Sequence, residues 1–113
     1  MAWLVTGGAG YIGSHVVRAL RTAGMEAAVI DDLSTGHREF VPTGVPFIEG
    51  SLLDRTALDA AFGATAIEGV IHVAGYKYAG VSVERPYHTY SQNITGMVNL
   101  LEAAREHGVD KMV

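Results

Sequence analysis

The sequence contains no cysteine. That excludes a disulfide framework and a thiolate metal site together. It also lacks any basic run. The 8 lysines and arginines and 12 acids are scattered and leave a net charge of −4, so nucleic acid is not an expected partner. No apolar stretch approaches the length needed to cross a bilayer, so no membrane span is expected. The start Met-Ala-Trp-Leu-Val-Thr runs into a glycine turn at Gly7, without the charged start and longer apolar run of a signal peptide. A cytoplasmic location is the resulting expectation. In that setting the sequon Asn93-Ile94-Thr95 is accidental. The histidines His15, His37, His72, His88 and His107 include no pair three or four apart, so no metal site is expected. No internal repeat or low-complexity tract is present.

What remains is a globular composition. Of 113 residues, 49% are apolar and 18% charged, which suits one modest domain. Residues 2–5 form a short apolar run closed by Thr6-Gly7-Gly8 and read as a buried strand. Ile12, Val16, Leu20 and Ala23 then recur at helical spacing, with Gly24 as the stop. Residues 27–30 form a second strand ending in Asp31-Asp32, and residues 32–44 read as loop. Residues 45–48 are a third strand. Asp54 is placed as an N-cap to a helix with Ala57, Leu58, Ala61 and Phe62 on one face and Gly63 at its end. Residues 70–73 are a fourth strand. Pro86 can open a further helix, along which Tyr87, Tyr90, Ile94, Met97, Leu101 and Ala104 form an apolar stripe, ended by Gly108. That stripe is expected in the core, its outer face being free for a second subunit. Residues 110–113 begin a fifth strand. Alternating strands and helices predict an α/β fold: a Rossmann-type doubly wound parallel sheet of strand order 3-2-1-4-5.

The turn Thr6-Gly7-Gly8-Ala9-Gly10-Tyr11-Ile12-Gly13 fits two fingerprints, Gly8-x-Gly10-x-x-Gly13 and Gly7-x-x-Gly10-x-x-Gly13. Either supplies a tight turn, a bare backbone for a pyrophosphate and close helix–sheet packing. The following helix offers its N-terminal N–H groups to the phosphates. Alone, such a motif is weak. A strand before it, a helix after it and an acid closing the second strand make it specific. Asp31, eighteen residues past Gly13, is placed to accept both adenosine ribose hydroxyls and to repel a 2′-phosphate, so NAD is favoured over NADP. Arg38 nearby could meet a 2′-phosphate. His72, mid-strand among apolar neighbours, reads as structural. Lys77 follows the fourth strand at the carboxyl-end crevice, where a cofactor contact is expected. For Asn93 and Gly96, three apart on one helical face, tight packing and a site role stand side by side.

These residues carry a resemblance. Thr6-Gly7-Gly8-Ala9-Gly10-Tyr11-Ile12-Gly13-Ser14-His15 resembles the opening of the UDP-glucose 4-epimerases, within the extended short-chain dehydrogenase/reductase superfamily and its NAD-dependent epimerase/dehydratase branch. His72-Val73-Ala74-Gly75-Tyr76-Lys77 is similar to that family's His-x-Ala-Gly-x-Lys, and Ser82, Pro86, Tyr90, Asn93 and Gly96 fall where its next helix has them. The resemblance covers the whole chain and implies an NAD site. Gly7, Gly10, Tyr11, Ile12 and Gly13 would sit at the pyrophosphate. Asp31 would hold the ribose, with Asp32, Leu33, Ser34, Thr35 and Gly36 lining the loop beside it. Val73, Ala74, Gly75 and Lys77 would run along the cofactor, and Asn93 would support it. After Glu49-Gly50 the family usually has an aspartate that contacts adenine. Here Ser51 and Leu52 stand, so the charge-assisted bond is lost unless Asp54 reaches in.

The resemblance also implies what to look for and not find. The family's catalytic tyrosine lies in Tyr-x-x-x-Lys. The only lysines are Lys77 and Lys111, and Val73 and His107 stand four residues before them, so no catalytic residue is assigned. The expectation is the N-terminal, NAD-binding portion of such an epimerase, residues 1–113, without a substrate domain and inactive alone. A UDP-sugar would be a substrate only of a full-length form. Two alternatives stay open: a non-catalytic nucleotide-binding module, or part of another sugar-nucleotide enzyme of the superfamily, a dehydratase or decarboxylase. A homodimer or higher association is expected, because an unpaired fifth strand and bare apolar faces invite contact.

Overall fold

A computed structural model describes residues 1–75, 86–87 and 91–113. In chain order its elements are β1 (Ala2–Thr6), α1 (Tyr11–Thr22), β2 (Glu26–Asp31), a 3-10 turn (Arg38–Phe40), β3 (Phe47–Glu49), α2 (Arg55–Gly63), β4 (Ile67–His72), one turn of π-helix (Ser91–Thr95) and α3 (Gly96–Glu106). The strands pair in parallel in the order β3-β2-β1-β4. Met112 adds an isolated parallel bridge to Val70 on the outer side of β4, where a fifth strand is expected.

Helices cover both faces. Successive side chains of a strand point to opposite faces. Leu4, Ala28, Ile30 and Val70 therefore face α2 and α3, packing with Leu58, Phe62, Leu100 and Ala103. Val5, Val29 and Ala27 face α1, packing with Val17 and Leu20. The carboxyl ends of β1, β2 and β4 open onto one edge, and β1 sits where the winding reverses. Ligands of open parallel sheets bind at such a switch point.

Several expected boundaries shift for local reasons. β3 starts at Phe47 rather than residue 45, since Pro46 has no N–H for a ladder and gives only its carbonyl, to Val29 N–H at 2.9 Å. β4 begins at Ile67, three residues before its apolar run. Gly69, which immediately precedes that run, lies under the Trp3 ring, where a Cβ would come within 2.3 Å of the ring carbons. On α1 the buried face is Gly13, Val17 and Leu20, one residue round from the expected Ile12, Val16 and Leu20, and Ile12 is exposed. α3 is rotated in the same sense. Gly96, Leu100, Ala103 and Ala104 are buried, whereas Ile94 and Leu101 of the expected core stripe are each 48% exposed. Small residues win the inner face because α3 closes on Leu52: a Cβ on Gly96 would lie 3.2 Å from the Leu52 Cβ. Tight packing thus accounts for that mid-helix glycine. Of the expected helix from Pro86 to His107, residues 86–87 are helical, Ser91–Thr95 form the π turn and Gly96–Glu106 form α3, while residues 88–90, Tyr90 among them, lie outside the described residues.

Candidate functional site

The glycine turn folds on itself before α1 begins. Gly10 N–H donates to Gly7 C=O at 3.1 Å, and Ser14 N–H to Gly10 C=O at 2.9 Å. Gly7 has φ of 72°, a left-handed conformation, and a Cβ there would lie 2.9 Å from Ala74 N. Gly13 is needed for space: its Cβ would fall 2.0 Å from Gly7 O. Gly8 turns away from the opening, onto the Val29 side chain. Between the two fingerprints, Gly7-x-x-Gly10-x-x-Gly13 is therefore the one that faces the cleft.

Gly10 is different. Its backbone is extended (φ −84°, ψ −179°), which any residue adopts, and the nearest atom to an added Cβ is 3.4 Å away. The protein itself does not require glycine there. As the N-cap of α1, Gly10 brings no side-chain acceptor to the helix's first N–H groups. Those donors and the positive end of the helix dipole face the cleft, an arrangement suited to a phosphate.

The cleft at this edge has a volume of about 330 Å³. Gly7, Gly10, Tyr11, Ile12 and Gly13 line it from the turn. Asp31, Asp32, Ser34 and Thr35 line it from the end of β2. Ser51 and Leu52 line it beyond β3, and Val73, Ala74 and Gly75 beyond β4. Ile30 and Gly50, which sequence reasoning left out, line it as well. Gly50 had a signal in the Glu49-Gly50 pair, but its role emerges only in three dimensions. Its Cβ would lie 2.4 Å from that of Ala57, so glycine there lets α2 pack against the strand end.

Three expected site residues stand elsewhere. Leu33 (φ 61°) packs against the α1-side core. Gly36 packs on Ala9 and on the Asp31 carboxylate. Asn93 backs the wall, its Oδ1 3.3 Å from where a Gly75 Cβ would be. Lys77 lies outside the described residues, as do Tyr76 and Ser82. Asp54 does not reach in. Its carboxylate caps α2 by accepting from Thr56 N–H at 3.0 Å. Arg38 is also turned away, its guanidinium 4.3 Å from the centroid of the Phe47 ring.

Two part-buried polar knots hold the walls. Asp31 Oδ2 accepts from Ala9 N–H at 2.9 Å, and Oδ1 from Leu33 N–H at 2.8 Å, which ties the glycine turn to the β2 loop. Each carboxylate oxygen has about two acceptor positions, so each keeps one for a ligand hydroxyl. Across the cleft, the buried Thr6 Oγ1 accepts from Val73 N–H at 3.0 Å and Ala74 N–H at 3.2 Å, and lies 2.7 Å from His72 Nδ1. Two donors fill its lone pairs, so its own proton goes to Nδ1. That makes Nδ1 the unprotonated ring nitrogen and His72 a structural brace. Among the described residues no cluster of three or more metal-binding side chains occurs.

Comparison with known proteins agrees with this geometry. Residues 3–113 match the model of the NAD dependent epimerase/dehydratase family. The chain is 44% identical to the UDP-glucose 4-epimerase of Erwinia amylovora, covering 100% of this chain and 36% of that one. To the UDP-glucose 4-epimerase of Bacillus subtilis (strain 168) it is 45% identical, covering 100% and 35%. Among solved structures, the Thermus thermophilus UDP-glucose 4-epimerase in complex with NAD superposes with a TM-score of 0.95 at 47% identity, over 99% of this chain and 36% of that one. The Brucella ovis UDP-glucose 4-epimerase in complex with NAD gives 0.92 at 40% identity, over 98% and 34%. The chain thus spans about a third of the length of the relatives it matches. With its parallel sheet, its glycine turn and its acid at the end of β2, the chain belongs to the NAD dependent epimerase/dehydratase family.

Proposed function

We propose that this chain is the NAD-holding portion of a UDP-glucose 4-epimerase. The observation that carries the reading is Gly10: a glycine its own fold does not need, lining a cleft whose other walls end in Asp31 and Ala74. The residues fit the cofactor. The start of α1 would hold the pyrophosphate, Asp31 would take the adenosine ribose hydroxyls, and the wall braced by Thr6 would flank the nicotinamide half. Asp31 would repel a 2′-phosphate and Arg38 is engaged with Phe47, which favours NAD over NADP. When bound, NAD supplies the acceptor that takes up and returns a hydride while UDP-glucose and UDP-galactose interconvert.

By the same reading these 113 residues catalyse nothing alone, because no Tyr-x-x-x-Lys is present. The UDP-sugar would be bound by a separate substrate domain of a longer form. A cytoplasmic location and an absence of nucleic-acid and membrane partners belong to this proposal, and the lack of cysteine agrees with it. So does self-association as a homodimer or larger assembly, supported by the exposed apolar residues Ile94, Val98 and Leu101 of the last helical segment. NAD should raise the melting temperature of the chain by linkage. Asp31→Ala should remove that shift, and it should also lower the unliganded melting temperature, since Ala9 and Leu33 lose their acceptor. UDP-galactose should remain unconverted in a turnover assay. Measurable epimerisation by this chain would contradict the division of labour proposed here.

A further inference from the structure

The strand order fixes which part of a dinucleotide meets which wall. With the pyrophosphate at the start of α1 and the ribose on Asp31 at the end of β2, the purine continues outward over the end of β3. On that side the cleft is lined by Gly50, Ser51 and Leu52, and Ser51 supplies the one polar side chain among them. A serine hydroxyl has one proton and two lone pairs. Leu53 N–H occupies one lone pair at 3.0 Å. One donor and one acceptor position remain, on the same oxygen. Glu49, two residues before Ser51, does not line the cleft, and Asp54, three residues after it, is turned to the start of α2.

We propose that Ser51 makes the purine end of the cleft indifferent to the group at C6 of the base, so that the hypoxanthine analogue of NAD is held about as tightly as NAD. Adenine presents an amino donor at C6 and an acceptor at N1. Hypoxanthine presents the reverse, a carbonyl acceptor at C6 and an N–H at N1. Opposite the C6 group itself, a hydroxyl can accept from the amino group or donate to the carbonyl, whereas a carboxylate can only accept and would repel the carbonyl. The inference rests on the NAD-holding reading above.

The test is a calorimetric titration of the full chain with NAD and, separately, with nicotinamide hypoxanthine dinucleotide, repeated on Ser51→Asp. Aspartate can keep the acceptor for Leu53 N–H, so the loop should hold, and the variant's melting temperature checks that it does. The expected dissociation constants on the native chain agree within about threefold, and Ser51→Asp favours NAD by about tenfold or more. A native chain that prefers NAD by about tenfold or more overturns the proposal while leaving the NAD reading intact. So does a folded Ser51→Asp variant with an unchanged ratio. If that variant fails to fold, the native ratio alone decides. A native chain that binds neither dinucleotide overturns the NAD reading and this proposal with it.

Discussion

Gly10 stands apart from the other glycines of the turn by what it does not touch. Gly13 would drive a Cβ to 2.0 Å from Gly7 O, and Gly7 combines a left-handed backbone with a Cβ 2.9 Å from Ala74 N. Both are required by the fold, so Gly13→Ala should destabilise by about 3 kcal/mol or more, since the carbonyl it meets cannot swing aside. Gly24→Ala, left-handed but with no neighbour within 4 Å, should cost only about 1 kcal/mol. Urea titration of the two variants checks the ranking, and equal losses would show that the turn relaxes freely. The motif was legible at residue level because its spacing is local. Which glycine served which purpose was not, because Val29 and Ala74 reach Gly8 and Gly7 from distant parts of the chain. Asp31 was legible as the acid that closes β2, where it lines the cleft. Its second duty, joining Ala9 to Leu33, depends on the loop's path and left no mark in the spacing.

At the scale of elements, α2 and α3 pack on one face of the sheet and are tied by charges on their outer side. Arg55 pairs with Asp59 at 3.2 Å, with Glu102 at 3.9 Å and with Glu106. His107 lies 3.1 Å from Asp59 and stacks on the Phe62 ring. The His107 hydrogen bond, then that of Arg55, holds the Asp59 carboxyl below its ordinary value of 3.8. The bond to Asp59 raises the Arg55 guanidinium in turn. A depressed carboxyl stabilises the fold above its unfolded pKa and loses that effect as pH falls through its folded pKa. These groups are solvent-exposed, so the effect is small. Asp59→Asn should lower the melting temperature slightly at neutral pH, and the gap to the native chain should close as the pH is taken below 3.8. A gap that persists in acid would assign the loss to packing instead. Helix α2 was readable to the residue, with its N-cap and buried face both local. The faces of α1 and α3 came out one residue off, since close approach of Gly13 to the glycine turn and of Gly96 to Leu52 placed glycines inward where hydrophobicity alone favoured Ile12, Ile94 and Leu101.

The whole molecule is a three-layer sandwich with unequal cover. On the α1 side Val5 and Val29 are fully buried, while Trp3, Ile71 and Val73, toward β4, are only partly so. The outer face of the last helical segment adds Ile94, Val98 and Leu101, each 48% exposed. Light scattering at rising concentration should report a mass above that of the 12.0 kDa chain. A monomer throughout would mean that these surfaces stay solvated. The strand order and the switch point were legible from the alternation of elements alone. The cleft's far wall at Ser51 and Leu52 was reached through family resemblance, because nothing in local patterning shows that the end of β3 faces the glycine turn.

The central claim is that the start of α1 is kept bare for a pyrophosphate, and Gly10→Ser tests it most directly. Serine is a favoured N-cap and its hydroxyl would accept from the same first-turn N–H groups, changing helix stability by only a few tenths of a kcal/mol relative to glycine. Titration with NAD should show binding to the native chain and at least about tenfold weaker binding to Gly10→Ser, with the melting temperatures of the two unliganded proteins nearly equal. Equal NAD affinity in both, or no binding to the native chain at millimolar NAD, would contradict it.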